Sequence, residues 1–228
     1  ILKGRIIPFF RSKYIDEISS YNIEQYKQYL LSKQGLSPKT TNNYLCILGR
    51  CLKSAAEWGM LQTVPQIKLV KVPPQKYDYL NETEAELLLN NAEGMWRNMI
   101  LLAVRTGLRF GELIALKWED IKFSDGILTV TRNIVRNIEG SPKNNKSRIL
   151  PLTQSVIQML SGIDKKYEYV FHDKNGRPLK HDFCRDNLHA ICKKAGLRTI
   201  GWHGLRHSFA SHLASGHNSI VAIKELMG

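Results

Sequence analysis

The residues best suited to chemistry lie in Trp202-His203-Gly204-Leu205-Arg206-His207-Ser208-Phe209-Ala210-Ser211-His212-Leu213. Gly201 and Gly204 bracket its start. Leu205, Phe209 and Leu213 recur every four residues, the spacing of one buried helix stripe. His203 and Arg206 lie three apart at the predicted helix start, so both side chains can face one side. A helix N-terminus offers backbone N–H groups and the positive end of its dipole to an anion. An imidazole and a guanidinium set there predict a phosphate site. Taken alone, such a pair is more often a cap and a surface residue.

A second stretch, Thr106-Gly107-Leu108-Arg109-Phe110-Gly111-Glu112-Leu113, places an arginine beside an apolar run. A guanidinium there must be paired or solvated, because burying it alone is costly. Glu112 is the obvious orienting partner. The pair is either purely structural or a fork-shaped donor held by a carboxylate and aimed at a phosphate. Between the two stretches, Ser141-Pro142-Lys143-Asn144-Asn145-Lys146 is a turn by composition.

These three segments, in this order, resemble the tyrosine recombinase (phage-type integrase) family. The family pattern is T-G-x-R-x-x-E-L, then a hairpin lysine, then H-x-L-R-H-x-F-A. The resemblance runs over nearly the whole chain, most closely from Tyr79 to Gly228. It implies that Arg109, Lys143, His203 and Arg206 are catalytic and that Glu112 is an orienting residue. Lys143 takes the lysine role because it precedes Arg148-Ile149-Leu150-Pro151-Leu152 by the family's spacing; Lys146 is the runner-up and a backbone phosphate contact. The resemblance further implies duplex DNA as partner, with Arg148 and His207 among its contacts. The family cuts and rejoins DNA through a 3′-phosphotyrosyl bond, using no cofactor and no obligatory metal. Its nucleophilic tyrosine follows an L-G-H motif, whose histidine would come next after Leu226-Met227-Gly228. None of the nine tyrosines follows such a motif. The 228 residues are therefore expected to bind DNA without cleaving it, and to be monomeric where the intact family member is a homotetramer on DNA.

The composition fits a polyanionic partner. The chain carries 33 Lys and Arg against 20 Asp and Glu, a formal charge of +13, which points to nucleic acid or an anionic membrane. No apolar run approaches the ~18 residues that span a bilayer, and no signal peptide is evident at Ile1. The expected location is the cytoplasm, in a bacterium or encoded by its phage. The four cysteines form no C-x-x-C pair, and buried free thiols are the default reading. His181, Cys184, His189 and Cys192 fall near one face of one helix. Zinc sites usually draw ligands from more than one element, so no metal is assigned there. His172 and His189 are read as structural or exposed.

The elements that must position these residues read as mainly α with a small antiparallel β-sheet, an α+β chain. Ile6-Ile7-Pro8-Phe9-Phe10 is apolar with no cap, and in the family such a segment follows a first helix. Residues 22–33 read as a helix ended by Gly35. Ser37-Pro38 opens another, through about Trp58, with Ser as N-cap and Pro at the first position. Its polar residues are candidates for a face laid on DNA, with Lys39, Thr40 and Thr41 favoured over Arg50 and Lys53. Residues 67–76, with Lys68, Lys71 and Lys76 among prolines, read as a stiff basic linker, with Lys71 a candidate phosphate contact. That gives a helical unit at 1–66, the family's core-binding domain by resemblance, and a second unit at 77–228, the catalytic domain. In the latter, Asn81 and Glu84 form a capping box, 95–105 a buried helix and Gly107 its C-cap. Residues 110–116 read as a short helix, 127–131 and 148–152 as strands, and 153–160 and 181–195 as helices. Asn218 is expected to cap a last helix over 219–227.

Two readings compete within DNA chemistry: a non-catalytic DNA-binding regulator, and a type IB topoisomerase-like enzyme. The first leaves the four charged residues unexplained, and the helical first unit argues against the second. An enzyme acting on phosphorylated small molecules is disfavoured by the lack of a Gly-rich phosphate loop.

Overall fold

A computed structural model describes residues 2–74, 78–141, 147–216 and 219–228. Two compact units emerge, 1–75 and 76–228, and the whole is α+β, as the sequence pattern implies.

In the first unit a π-turn at Leu2–Ile6 leads into α1 (Ile7–Phe10), so the uncapped apolar start is helical. After α2 (Ser20–Gln28), which runs on as a π-turn over Tyr29–Lys33, comes α3 (Pro38–Glu57). Ser37 caps α3 by accepting from the Thr40 N–H, and Pro38 takes the first turn, where its missing N–H costs nothing. Leu45, Leu48, Leu52 and Ala55 form the buried stripe of α3, and its three leucines pack with Phe10, Ile23, Tyr26 and Leu30. Each fully buried leucine contributes about 1.5–3 kcal/mol. Residues 67–76, expected as a linker, begin as part of this unit. The Asn42 amide donates to the Val70 carbonyl and accepts from the Val70 N–H, both at 2.8 Å, and Lys27 donates to the Lys68 carbonyl.

The second unit starts with α4 (Glu82–Asn90), opened by the reciprocal Asn81–Glu84 capping box. The buried α5 (Gly94–Thr106) and short α6 (Phe110–Ile114) follow. Strands β1 (Ile121–Lys122), β2 (Ile127–Val130) and β5 (Arg148–Pro151) make an antiparallel sheet in the order β1-β2-β5, with Leu128 opposite Leu150. A separate hairpin, β3 (Asn133–Val135) and β4 (Ile138–Gly140), is inserted between β2 and β5. The unit continues through α7 (Gln154–Ser161), α8 (His181–Lys194), α9 (Trp202–Ser215) and α10 (Ile220–Met227). Ser219, rather than Asn218, caps α10, accepting from the Ala222 N–H; Asn218 is outside the described residues. Helix α5 lies under α9, and Met99, Ile100, Leu102, Leu128, Phe171, Leu188 and Leu205 share one core.

The thiols divide. Cys184 and Cys192 are buried, and burial alone pushes the Cys184 thiol up to about 12. Cys46 is exposed and Cys51 half-buried, contrary to the buried default, because Cys46 sits one residue off the α3 stripe.

Candidate functional site

The site is built where α5 stops. Gly107 ends α5 in the left-handed region, φ +63°, with its N–H on the Ala103 carbonyl. A side chain there would be strained, and its Cβ would run into the Phe209 ring of α9. The turn brings the chain out extended at Arg109, which is the N-cap of α6. Glu112, in the first turn of α6, reaches back to accept from the Arg109 N–H at 2.8 Å and from Arg109 Nη1 at 3.0 Å. Arg148, on β5, donates to both oxygens of the same carboxylate, at 2.9 and 2.6 Å. Glu112 is thus fully committed, and its side chain is 1% exposed. Burial alone would raise its pKa, but the bonds from Arg148 and Arg109 hold it below the usual carboxylate range.

Arg206 comes from the first turns of α9. It is buried, and its Nη1 donates to the Gly107 carbonyl at 2.6 Å. Gly204 lets the start of α9 pack closely on the chain before it: a Cβ there would meet the Ile200 side chain and the Asp78 carbonyl. Ser208 pins α9 further along, accepting from the Leu80 N–H at 2.8 Å and donating to the Gly204 carbonyl. The last residues of α10 complete the cup. Arg148 Nε donates to the Leu226 carbonyl, Arg206 Nη2 to that of Met227, and Arg109 Nη2 to that of Gly228. Arg109 and Arg206 therefore converge on adjacent carbonyls.

The electrostatics are unbalanced. Glu112 is the one carboxylate bonded by any of these guanidiniums among the described residues. Three positive charges face one negative, leaving an excess of two. Burial, and the charge of Arg109, push the Arg206 guanidinium down to about 10, still protonated at neutral pH. His203 is exposed at the rim. Desolvation and the charges of His207, Arg206 and Arg109 hold its imidazole below its ordinary range. Its ring stands edge-on to His207, centroids 4.4 Å apart, and His207 is lowered by desolvation and by Arg206. An under-neutralised cluster of fixed donors, with two imidazoles held below their ordinary range at its rim, has the chemistry to receive an anion.

Arg109, Glu112, His203, Arg206 and His207 are thus brought together. Lys143 and Lys146 lie outside the described residues. Arg148 is not a surface contact: its side chain is 11% exposed and turned onto Glu112, a third guanidinium of the cup. In the first unit, Lys39, Arg50, Lys53 and Lys71 are exposed and Thr40 half-buried, bonded to Ser37. Thr41 corrects the sequence reading. It is fully buried, and its hydroxyl has no partner among the described residues, so its side chain cannot reach a duplex. Its place on the stripe Thr41, Leu45, Leu48, Leu52 was the available signal. Among the described residues no His, Cys, Asp or Glu cluster suits a metal, and no helix is long and apolar enough to cross a membrane.

Comparison with known proteins decides the family. The phage integrase family pattern matches residues 78–228, and its SAM-like domain pattern matches 5–69. The chain belongs to the phage integrase family, the tyrosine recombinases. It is 29% identical over 229 residues to the prophage integrase IntR of Escherichia coli, covering 86% of this chain but 56% of that protein. The tyrosine recombinase XerA of Pyrococcus furiosus is 28% identical, with 98% of this chain and 78% of that one covered. Among solved structures, this integrase chain has the fold of the Tn1549 transposon integrase bound to a circular intermediate DNA (TM-score 0.84, 20% identity, 99% and 83% of the two chains). It also matches a lambda integrase dimer on a core site (TM-score 0.76, 20% identity, 97% and 84%).

Proposed function

We propose that this chain is the core-binding and catalytic portion of a site-specific recombinase that integrates or excises a mobile element by cutting and rejoining duplex DNA. The observation that carries this is the cup: Arg109 and Arg206 aimed at adjacent oxygen acceptors, with two positive charges in excess. A scissile phosphate takes the place of the Met227 and Gly228 carbonyls. Two fixed guanidiniums stabilise the charge that grows on the non-bridging oxygens of a pentacoordinate phosphorus. Glu112 and Arg148 hold Arg109 in register before DNA arrives. His203, neutral at pH 7, hydrogen-bonds a non-bridging oxygen or moves a proton.

The attacking group is a tyrosine hydroxyl, which forms a 3′-phosphotyrosyl bond while the 5′ oxygen leaves with a proton from Lys143. Bond energy is kept, so neither ATP nor a metal is needed. Tyr167 and Tyr169 are engaged elsewhere, their hydroxyls on the Lys174 carbonyl and on Glu139. None of the nine tyrosines follows the L-G-H motif that precedes the family's nucleophile, so the nucleophile is expected beyond Gly228, and residues 1–228 alone bind DNA, as monomers, without cleaving it. With that segment present, the protein works as a tetramer on DNA in the cytoplasm.

The test is a nicked suicide duplex carrying the element's junction. The protein extended past Gly228 is expected to form a covalent adduct in EDTA, lost in Arg206→Ala. Residues 1–228 should shift the duplex without forming an adduct. An adduct formed by residues 1–228 would overturn the assignment of the nucleophile, and one that survives Arg206→Ala would overturn the role of the cup.

A further inference from the structure

Beside the cup lies a cleft of about 700 Å³ that the reaction above does not use. Its walls come from three elements: the start of α6, the β3–β4 hairpin and the start of α8. Arg109 forms part of its lining and so belongs to both spaces. The hairpin reaches the cleft because Gly111 has no side chain; a Cβ there would collide with the Asn133 amide and the Ile134 carbonyl.

The lining is of two kinds. Phe110 and His181 meet edge-to-face, ring centroids 5.0 Å apart, and Phe183, 53% exposed, stands 5.4 Å from Trp96. Around these rings are cations: Arg136 at the hairpin tip and Lys180 before α8 have no carboxylate partner among the described residues. Asp182 also lines the cleft, but its carboxylate is engaged by Arg185 and His181. The amides of Asn133 and Asn137 add donors and acceptors. Arg136 and Asn137 both have positive φ, 52° and 63°, the two-residue turn that tightens a hairpin and presents its tip.

Rings for a flat π-face, amides for its edge and cations for its phosphates are the recognition chemistry of a nucleotide. The cleft volume falls in the range of small-ligand sites. We propose that it receives one unstacked nucleotide of the strand whose phosphate the cup holds, with the base against Phe183 and His181. This rests on the function proposed above: Arg109 grips the phosphate on one side while the attached base leaves the stack on the other. Stacking on the rings offsets part of the cost of unstacking, which is smallest where the base is already unpaired.

The test uses residues 1–228 and a 30-bp duplex, fully paired or with one central bulged 2-aminopurine. The bulged duplex is expected to bind about 10-fold tighter, the worth of one aromatic–base stack, with the 2-aminopurine emission quenched. Phe183→Ala and, separately, Asn137→Gly, which keeps the turn, should shrink that preference several-fold and leave paired-duplex affinity unchanged. Equal affinity for the two duplexes, or a preference untouched by both variants, overturns the cleft assignment while leaving the cup intact. Failure to bind either duplex overturns the functional reading itself. Free dAMP is the last arm. Micromolar dAMP binding without a bulge preference would make the cleft a free-nucleotide site and overturn the strand-borne version.

Discussion

Two regions of this molecule are rich in positive charge, and they are built in opposite ways. On α3, Arg50 and Lys53 stand in water with no partner among the described residues. In the cup, Arg109, Arg148 and Arg206 are largely withdrawn from water and fixed by one carboxylate and four carbonyls. Exposed cations attract a polyanion by releasing counterions and tolerate small errors of position. Buried guanidiniums have lost their hydration and are held in one geometry, which suits one phosphate and a developing charge. On the function proposed above, the same residue types supply affinity in one region and orientation in the other.

The sharpest way to break this contrast is to remove the carboxylate. Glu112→Ala leaves Arg148 and Arg109 unneutralised and should cost about 3–5 kcal/mol, read by thermal unfolding of the second unit; a loss below ~1 kcal/mol would show that the cup is not prestressed. Next is Gly107→Ala, which forces a Cβ into a left-handed turn under Phe209 and should cost about 2–3 kcal/mol by the same measurement. An unchanged melting temperature would mean that α9 can slide away.

Affinity separates the regions next. Arg50→Gln or Lys53→Gln should weaken binding of any duplex uniformly and lower the salt slope by about 1. Arg206→Gln should leave that slope nearly intact while abolishing adduct formation in the extended protein. Equal salt slopes for both classes would erase the distinction.

A finer effect comes from pH. The free His203 imidazole titrates below its ordinary value of ~6.5, and a bound phosphate raises it. Binding then takes up a proton between the two values, so affinity should rise several-fold as pH falls through the bound-state value and level off below the free one. His203→Gln should flatten this dependence more than His207→Gln, whose ring faces it. Smallest is Thr41→Val, which removes a buried hydroxyl without a partner among the described residues and should stabilise the first unit by up to ~1 kcal/mol. Duplex affinity should not move; a weakened complex would return Thr41 to the DNA face.

Much of the site was legible because its grammar is local. A glycine that must take positive φ, an N-cap arginine and a carboxylate three residues on are all set by one turn of backbone, and Gly107, Arg109 and Glu112 spell that out. Long-range partners were not. Alternation along β5 puts Arg148 on the same face as buried Leu150 and leaves Ile149 61% exposed, the reverse of what hydrophobicity suggests. The reason is Glu112, 36 residues earlier. The β3–β4 hairpin was missed although Val135-Arg136-Asn137-Ile138 carries an asparagine at a tight turn between apolar residues, a usable signal. Thr41 was misread because nearness to a helix start was weighed above the helical period.

The two arginines that face the same acceptors are 97 positions apart, residues 109 and 206, and Leu80 is tied to Ser208 across 128. On the ribosome, therefore, the face of α5 that meets α9 stays uncovered until nearly the whole second unit has emerged, and such distant closure is slow. For most of its synthesis the nascent polypeptide is a basic chain in which Arg109 can meet Glu112 but not yet stand beside Arg206. The three guanidiniums of the cup are brought together only when the last helices dock, so the order of translation makes this cluster the last part of the unit to take shape.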